Sequence, residues 1–207
     1  MTIKKEKFSN SSATQSTPHV SDFIQALPLA LLFYAARFAV EALVKKSFGK
    51  SSKISGEDQH KISECVFLAL YFLGITLFAT WSLLSVEWRS SYHAMWLDYP
   101  FQFVDENVRL LYMVELGRYL SLMVTLGTDR RRTDFTQVVT HHIATIALLT
   151  LSYMINFTRF GAVILWYHNI SDVFLQSAKA AKIAQFNTVA QTIFCLFAVI
   201  FLTRSVE

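Results

Sequence analysis

The chain has 207 residues, of which 16% are charged and 53% hydrophobic, with 18 Phe against 6 Gly and 3 Pro. Soluble domains carry roughly 25% charged residues, so too few polar side chains are available to cover a soluble one-domain enzyme. The same figures exclude a disordered, collagen-like or disulfide-scaffold chain. The net charge of +4 is spread over short basic clusters between apolar runs, which is the pattern of loops at a membrane face and not of a nucleic-acid-binding surface.

Residues 1–21 form a polar tail with Lys4, Lys5 and Lys7 and an N-glycosylation sequon at Asn10. No apolar run with a cleavage site follows directly, so the tail is not a signal peptide. Six apolar stretches come next, at about 23–44, 62–84, 107–127, 138–155, 160–178 and 187–203. Each is close to the roughly 20 residues that span a bilayer as helix. They are rich in Leu, Phe and Ala without an alternating period, which favours helices over barrel strands. The predicted fold is all-α, a polytopic transmembrane bundle of about six spans. It divides into the tail (1–21), a first helix with a basic loop (22–61) and the remaining bundle (62–207). Cys65 and Cys195 lie in apolar runs with no disulfide or zinc spacing.

Lys and Arg set the orientation. Ten of them fall in the loops 45–61, 128–136 and 179–186, against six in the tail and at Arg89, Arg159 and Arg204. The first set is predicted to be cytosolic, and the N-terminus lumenal.

A charged side chain at membrane depth costs about 2.5–3.5 kcal/mol on insertion scales and therefore faces protein or water. In the fifth stretch His168, Asp172, Gln176 and Lys179 are spaced 4, 4 and 3 apart, which places them on one helix face. Such a stripe lines a wet space or ties helices together. The fourth stretch carries His141-His142. Adjacent residues point about 100° apart on a helix, so the two imidazoles have different jobs: one reacts while the other orients or shuttles a proton, or both form a satisfied polar pair. Glu115 and Arg118, three apart in the third stretch, can pair, and a structural role is the simpler expectation for them. Six histidines are too few and wrongly spaced for a di-iron centre. No phosphate loop, Ser-His-Asp order or HxxxxD box occurs. No metal or cofactor is expected.

Taken together, Arg131-Arg132-Thr133-Asp134-Phe135, His141-His142, His168-Asn169-Ile170-Ser171-Asp172 and Lys179 resemble the Lag motif of ceramide synthases, within the TLC domain. Upstream, Trp96-Leu97-Asp98-Tyr99-Pro100 and Glu115-Leu116-Gly117-Arg118-Tyr119-Leu120-Ser121-Leu122 resemble that family's W-x-x-Y-P and E-x-G-x-Y-L-S-L segments. The resemblance implies N-acylation of a sphingoid base by a fatty acyl-CoA co-substrate in the endoplasmic reticulum membrane, with a homo- or hetero-dimer of synthases as an expected assembly. By position, His141, His142 and Asp172 match the family's catalytic set. Asn169 stands where the family has its first Asp, and Gln176 where Glu is usual. His168, Lys179, Arg131 and Arg132 are the expected substrate contacts, the arginines at a cytosolic mouth where CoA phosphates could be received. The family pattern continues past Arg204, so a domain cut short by at least one span is expected. Asn169 and that ending keep a second reading open: a catalytically inactive TLC-domain membrane protein that binds lipid or regulates a full-length synthase.

Overall fold

A computed structural model describes residues 17–48, 55–128 and 135–204. The tail with Lys4, Lys5, Lys7 and Asn10, the loop residues Lys50 and Lys53, and the cluster Arg130–Asp134 lie outside the described residues.

The described chain is a helical membrane bundle. After a 3-10 turn at Val20–Gln25 come α1 (Ala26–Phe48), α2 (Gly56–Leu84), a second 3-10 turn (Glu87–Ser90), the short α3 (Tyr92–Trp96), α4 (Glu106–Thr128), α5 (Phe135–Met154), α6 (Thr158–Ile183) and α7 (Asn187–Arg204). The helix ends follow local chemistry. α2 begins six residues before the predicted span because Ser55 accepts from the Asp58 amide at 3.1 Å, with Glu57 and Asp58 in the first turn. A hydroxyl cap and acidic residues both favour a helix N-terminus. Between α5 and α6 the chain reverses at Asn156, with φ 58°, in the left-handed region that Asn tolerates.

Among the described residues four helical segments are long and apolar enough to cross a membrane: Val20–Ser47, Gly56–Leu84, Glu106–Gly127 and Phe135–Met154. Six were expected. α6 has the length, at 26 residues, but its polar stripe takes it out of this set. In α7, at 18 residues, the apolar stretch among the described residues is Asn187–Val199.

α2 packs along α6, α1 along α4, α7 against α6 and α5 against α4. The shared core is Phe72, Ile75, Ala79 and Leu83 from α2, Val108, Leu111, Tyr112, Met113 and Tyr119 from α4, Leu149 and Tyr153 from α5, and Ala162 and Leu165 from α6. Gly117 lets α1 approach α4: a Cβ there would fall against the Leu29 side chain and the Ala26 and Ala30 backbone. Leu31, Leu32, Leu43, Leu77, Leu148 and Leu151 point outward and are more than half exposed, as expected of a lipid-facing surface. Cys195, although in an apolar run, is exposed on α7, and Cys65 is half-buried.

At the predicted lumenal end, polar side chains tie the loop before α4 to the α5–α6 turn. Asn156 Nδ2 donates to the Pro100 and Gln102 carbonyls at 2.7 and 2.6 Å. Gln102 Nε2 donates to the Met95 and Leu97 carbonyls, both at 2.7 Å. Arg159 Nη1 donates to the Ala94 carbonyl at 2.9 Å. Trp96, Tyr99, Phe157 and Phe160 pack ring on ring beside them. Trp96, Tyr99 and Pro100 of the W-x-x-Y-P segment thus build this corner.

Candidate active site

The predicted cytosolic half of the bundle holds a cavity of about 670 Å³. Its polar lining includes His141 and His142 from α5, His168, Asp172, Gln176 and Lys179 from α6, and Arg118 and Tyr119 from α4. The apolar lining includes Phe67, Leu68, Phe72, Leu122, Leu126, Val138 and Leu175. The stripe read from helical spacing is real, since all four of its residues face this one space.

His168 Nε2 lies 3.2 Å from Asp172 Oδ2, one turn along α6, with Asp172 mostly buried and His168 nearly half exposed. Asp172 is within electrostatic reach of His168, Arg118, Lys179 and His141. His141 is exposed to the cavity, whereas His142 is half-buried. Their ring centroids are 5.6 Å apart, and His142 meets the edge of Tyr119 at 5.5 Å. The two imidazoles are therefore not equivalent, as adjacent helical positions require. Among the described residues His142 Nδ1 is buried without a hydrogen-bond partner.

Behind part of this wall lies a buried ionic layer, to which the lining residue Arg118 belongs. Glu115 is 1% exposed and Arg118 3%. Glu115 Oε2 is 3.6 Å from Arg118 Nε. The guanidinium carbon sits over the rings of Tyr119, Phe72 and Tyr71 at 4.2, 4.7 and 4.8 Å, cation–π contacts that offset its burial. Asn169, also 1% exposed, does not line the cavity. Its Nδ2 donates to Glu115 Oε1 at 2.6 Å.

Sequence reasoning undervalued this layer. The i,i+3 pairing of Glu115 and Arg118 was visible, but its contact with the cavity wall through Tyr119 depends on three helices meeting. The cavity edge was also missed. Arg37 on α1 and Glu64 on α2 line it and pair at 2.9 Å. Glu64 Oε1 is also 3.7 Å from His60 Nε2, and His60 Nδ1 is 3.1 Å from Glu41. Opposite charges at membrane depth in two neighbouring stretches were the available clue. Arg131 and Arg132 lie outside the described residues. Among the described residues no group of three or more His, Cys, Asp or Glu is placed to hold a metal.

Comparison with known proteins agrees with this architecture. The TLC-domain family matches residues 61–204. The chain belongs to the ceramide synthase family of TLC-domain proteins. It is 34% identical over 206 residues to Alternaria stem canker resistance protein 1 of Solanum lycopersicum, covering 90% of this chain and 67% of that protein. It is 38% identical over 122 residues to ceramide synthase hyl-1 of Caenorhabditis elegans, covering 59% and 33%. With ceramide synthase 1 LOH3 of Arabidopsis thaliana it shares 31% identity over 203 residues, covering 88% and 66%. The chain thus spans about two thirds of the plant relatives' length and a third of the nematode protein's.

Proposed function

We propose that the chain is a sphingosine N-acyltransferase, joining a fatty acyl group from acyl-CoA to the amine of a sphingoid base. One observation carries this reading: a single cavity inside a membrane bundle brings the His141–His142 pair of α5 up to the His168–Asp172 pair of α6. A membrane-embedded space with an apolar wall suits an acyl chain, and the imidazoles supply base or nucleophile.

The amide C–N bond forms as the thioester C–S bond breaks. The amine proton passes to an imidazole, and the CoA thiolate leaves to be protonated. His141, the more exposed of the two, takes the reacting role. It either removes the amine proton or attacks the acyl carbon, giving an acyl-imidazole that the amine then opens. Asp172 holds His168 and helps carry the proton. The thioester is already activated, so the reading uses acyl-CoA as co-substrate and no cofactor. Lys179, Arg131 and Arg132 are assigned to the CoA phosphates. The reading implies the endoplasmic reticulum membrane as the location and a homo- or hetero-dimer as the assembly to look for.

Membranes holding the chain are given sphinganine and a series of acyl-CoAs, with ceramide read by mass spectrometry. Product from wild type and none from His141→Ala/His142→Ala is the expected result. Stoichiometric CoA release from acyl-CoA alone selects the acyl-imidazole route. A second reading, an inactive TLC-domain protein that binds lipid or regulates a full-length synthase, rests on Asn169. It predicts no ceramide from wild type under any acyl-CoA.

A further inference from the structure

We propose that Arg37 is a positioning residue that makes α1 one wall of this cavity. Its pairing with Glu64 fixes the face and the height at which α1 lies on α2, and the width so fixed limits which acyl chains fit. The selectivity rests on the acyltransferase reading above; the clamp between the two helices does not.

α1 precedes the residues that the TLC-domain family matches, and it buries only 6% of its most apolar stretch. Lipid tails are as apolar as leucine, so apolar packing alone does not decide which face of such a helix turns inward. Close approach and polar contacts decide it instead. Near the predicted lumenal start of α1, Ala26, Leu29 and Ala30 come up against Gly117 of α4. Arg37 lies about 10 Å further along the axis than Ala30, at 1.5 Å per residue.

There the contacts to α2 form a ladder. Phe33, Arg37 and Glu41 follow at one-turn intervals and so share a face of α1. They meet Tyr71, Glu64 and His60 in turn. The Phe33 and Tyr71 rings pack edge to face with centroids 5.2 Å apart. Arg37 Nη2 donates to Glu64 Oε1 at 2.9 Å, a charge-assisted bond. His60 Nδ1 lies 3.1 Å from Glu41 Oε1, and Lys45 Nζ holds the same oxygen at 2.7 Å. The order of charges sets the register. Sliding α1 by one turn in one direction brings Glu41 against Glu64, and like charges repel. Sliding it the other way sets Arg37 against His60 and leaves Glu41 facing Gly56, which has no side chain to answer it. The observed register is the one that gives both acids a donor from the other helix, with the alternatives penalised.

The ladder reaches the site. Arg37, 8% exposed, lines the cavity beside Glu64, Cys65 and Leu68 of α2. Removing one partner of a buried pair strands the other charge at membrane depth, so the pair holds α1 at the height of the apolar lining. Without it, lipid is as good a neighbour for the cytosolic half of α1 as α2 is, and the cavity widens on this side.

The test uses the whole chain in membranes, given sphinganine and acyl-CoAs of increasing length. Arg37→Gln is expected to broaden the range of acyl chains accepted. The rate ratio between the best acyl-CoA and one about four carbons longer should fall at least ~3-fold. The exchange Arg37→Glu/Glu64→Arg restores opposite charges across the seam and is expected to recover most of the wild-type ratio. Arg37→Lys keeps the charge without the planar fork; it is expected to fall between the two, and it carries the comparison where Arg37→Gln does not accumulate. A length profile that superimposes on wild type overturns the proposal, as does an exchange variant no more selective than Arg37→Gln. A second readout needs no activity. In a Cys195→Ser background, maleimide labelling of Cys65 in the cavity wall is expected to speed up at least ~5-fold in Arg37→Gln, as local opening dictates, and to slow again in the exchange variant. An unchanged labelling rate sinks the clamp. The expected labelling pattern from a chain whose wild type makes no ceramide sinks the acyltransferase reading and leaves the clamp standing.

Discussion

The two ends of the bundle treat buried polarity in opposite ways. At the predicted lumenal end, the side chains of Gln102 and Asn156 each donate twice to backbone carbonyls, and Arg159 donates to a third site. At the predicted cytosolic end, His141, His168, Gln176 and Lys179 face a cavity, and only part of their hydrogen-bonding capacity is taken up by protein. Both ends meet the same cost of burying polar groups. The first end turns most of its polar side chains onto its own backbone. The second leaves them available to something else, and that difference separates a structural corner from a candidate site.

The comparison breaks most visibly at the histidines. His141→Ala/His142→Ala is expected to cut ceramide formation by more than ~100-fold, the range of a lost general base or nucleophile, while the melting midpoint in detergent moves little. Equal losses of rate and stability would make the pair a structural element like Asn156. Next comes Asp172→Asn, which keeps the shape beside His168 but removes the charge at 3.2 Å. A loss of ~10–100-fold in kcat is expected, with the folded fraction unchanged by thermal unfolding.

The lumenal corner supplies the reverse test. Asn156→Ala strips the donor from two carbonyls at 2.7 and 2.6 Å. Leaving buried acceptors unsatisfied costs about 1–3 kcal/mol, so the melting midpoint should drop. The surviving folded protein should keep its kcat. A rate that falls while the midpoint stays would place this corner in the chemistry.

How far the sequence showed these differences depends on how local they are. The stripe on α6 follows from spacing along one helix, so the shared cavity face of His168, Asp172, Gln176 and Lys179 was legible. The all-α membrane fold followed from composition and apolar runs. The span count did not carry over. The polar stripe of α6 also lowers its hydropathy, and a hydropathy reading cannot separate a polar stripe facing a cavity from a helix that does not span. The Asn169–Glu115–Arg118–Tyr119 layer was not legible beyond the Glu115/Arg118 spacing. Residues 54 apart in the chain meet only once α4 and α6 have packed, and no local periodicity records which face of each helix turns inward. Asn169 read as a lost acid in a family motif; in the folded chain its amide donates to Glu115.

The smallest expected effect lies at the end of the stripe. Lys179 lines the cavity yet is exposed, so its charge acts through solvent, where a single ion pair contributes about 0–1 kcal/mol. Converted at 1.4 kcal/mol per tenfold, Lys179→Gln should raise KM for acyl-CoA by at most about 5-fold and leave kcat alone. Screening also predicts that the difference shrinks as ionic strength rises from about 0.05 to 0.5 M, because the Debye length falls below the reach of an exposed charge. A lysine that served only to hold its end of α6 at the cytosolic face would behave differently. Its replacement would change the amount of correctly inserted protein, read by protease protection, and KM would be unaffected at every salt concentration. Lys179 therefore marks where the open end of the bundle stops being a site and becomes surface.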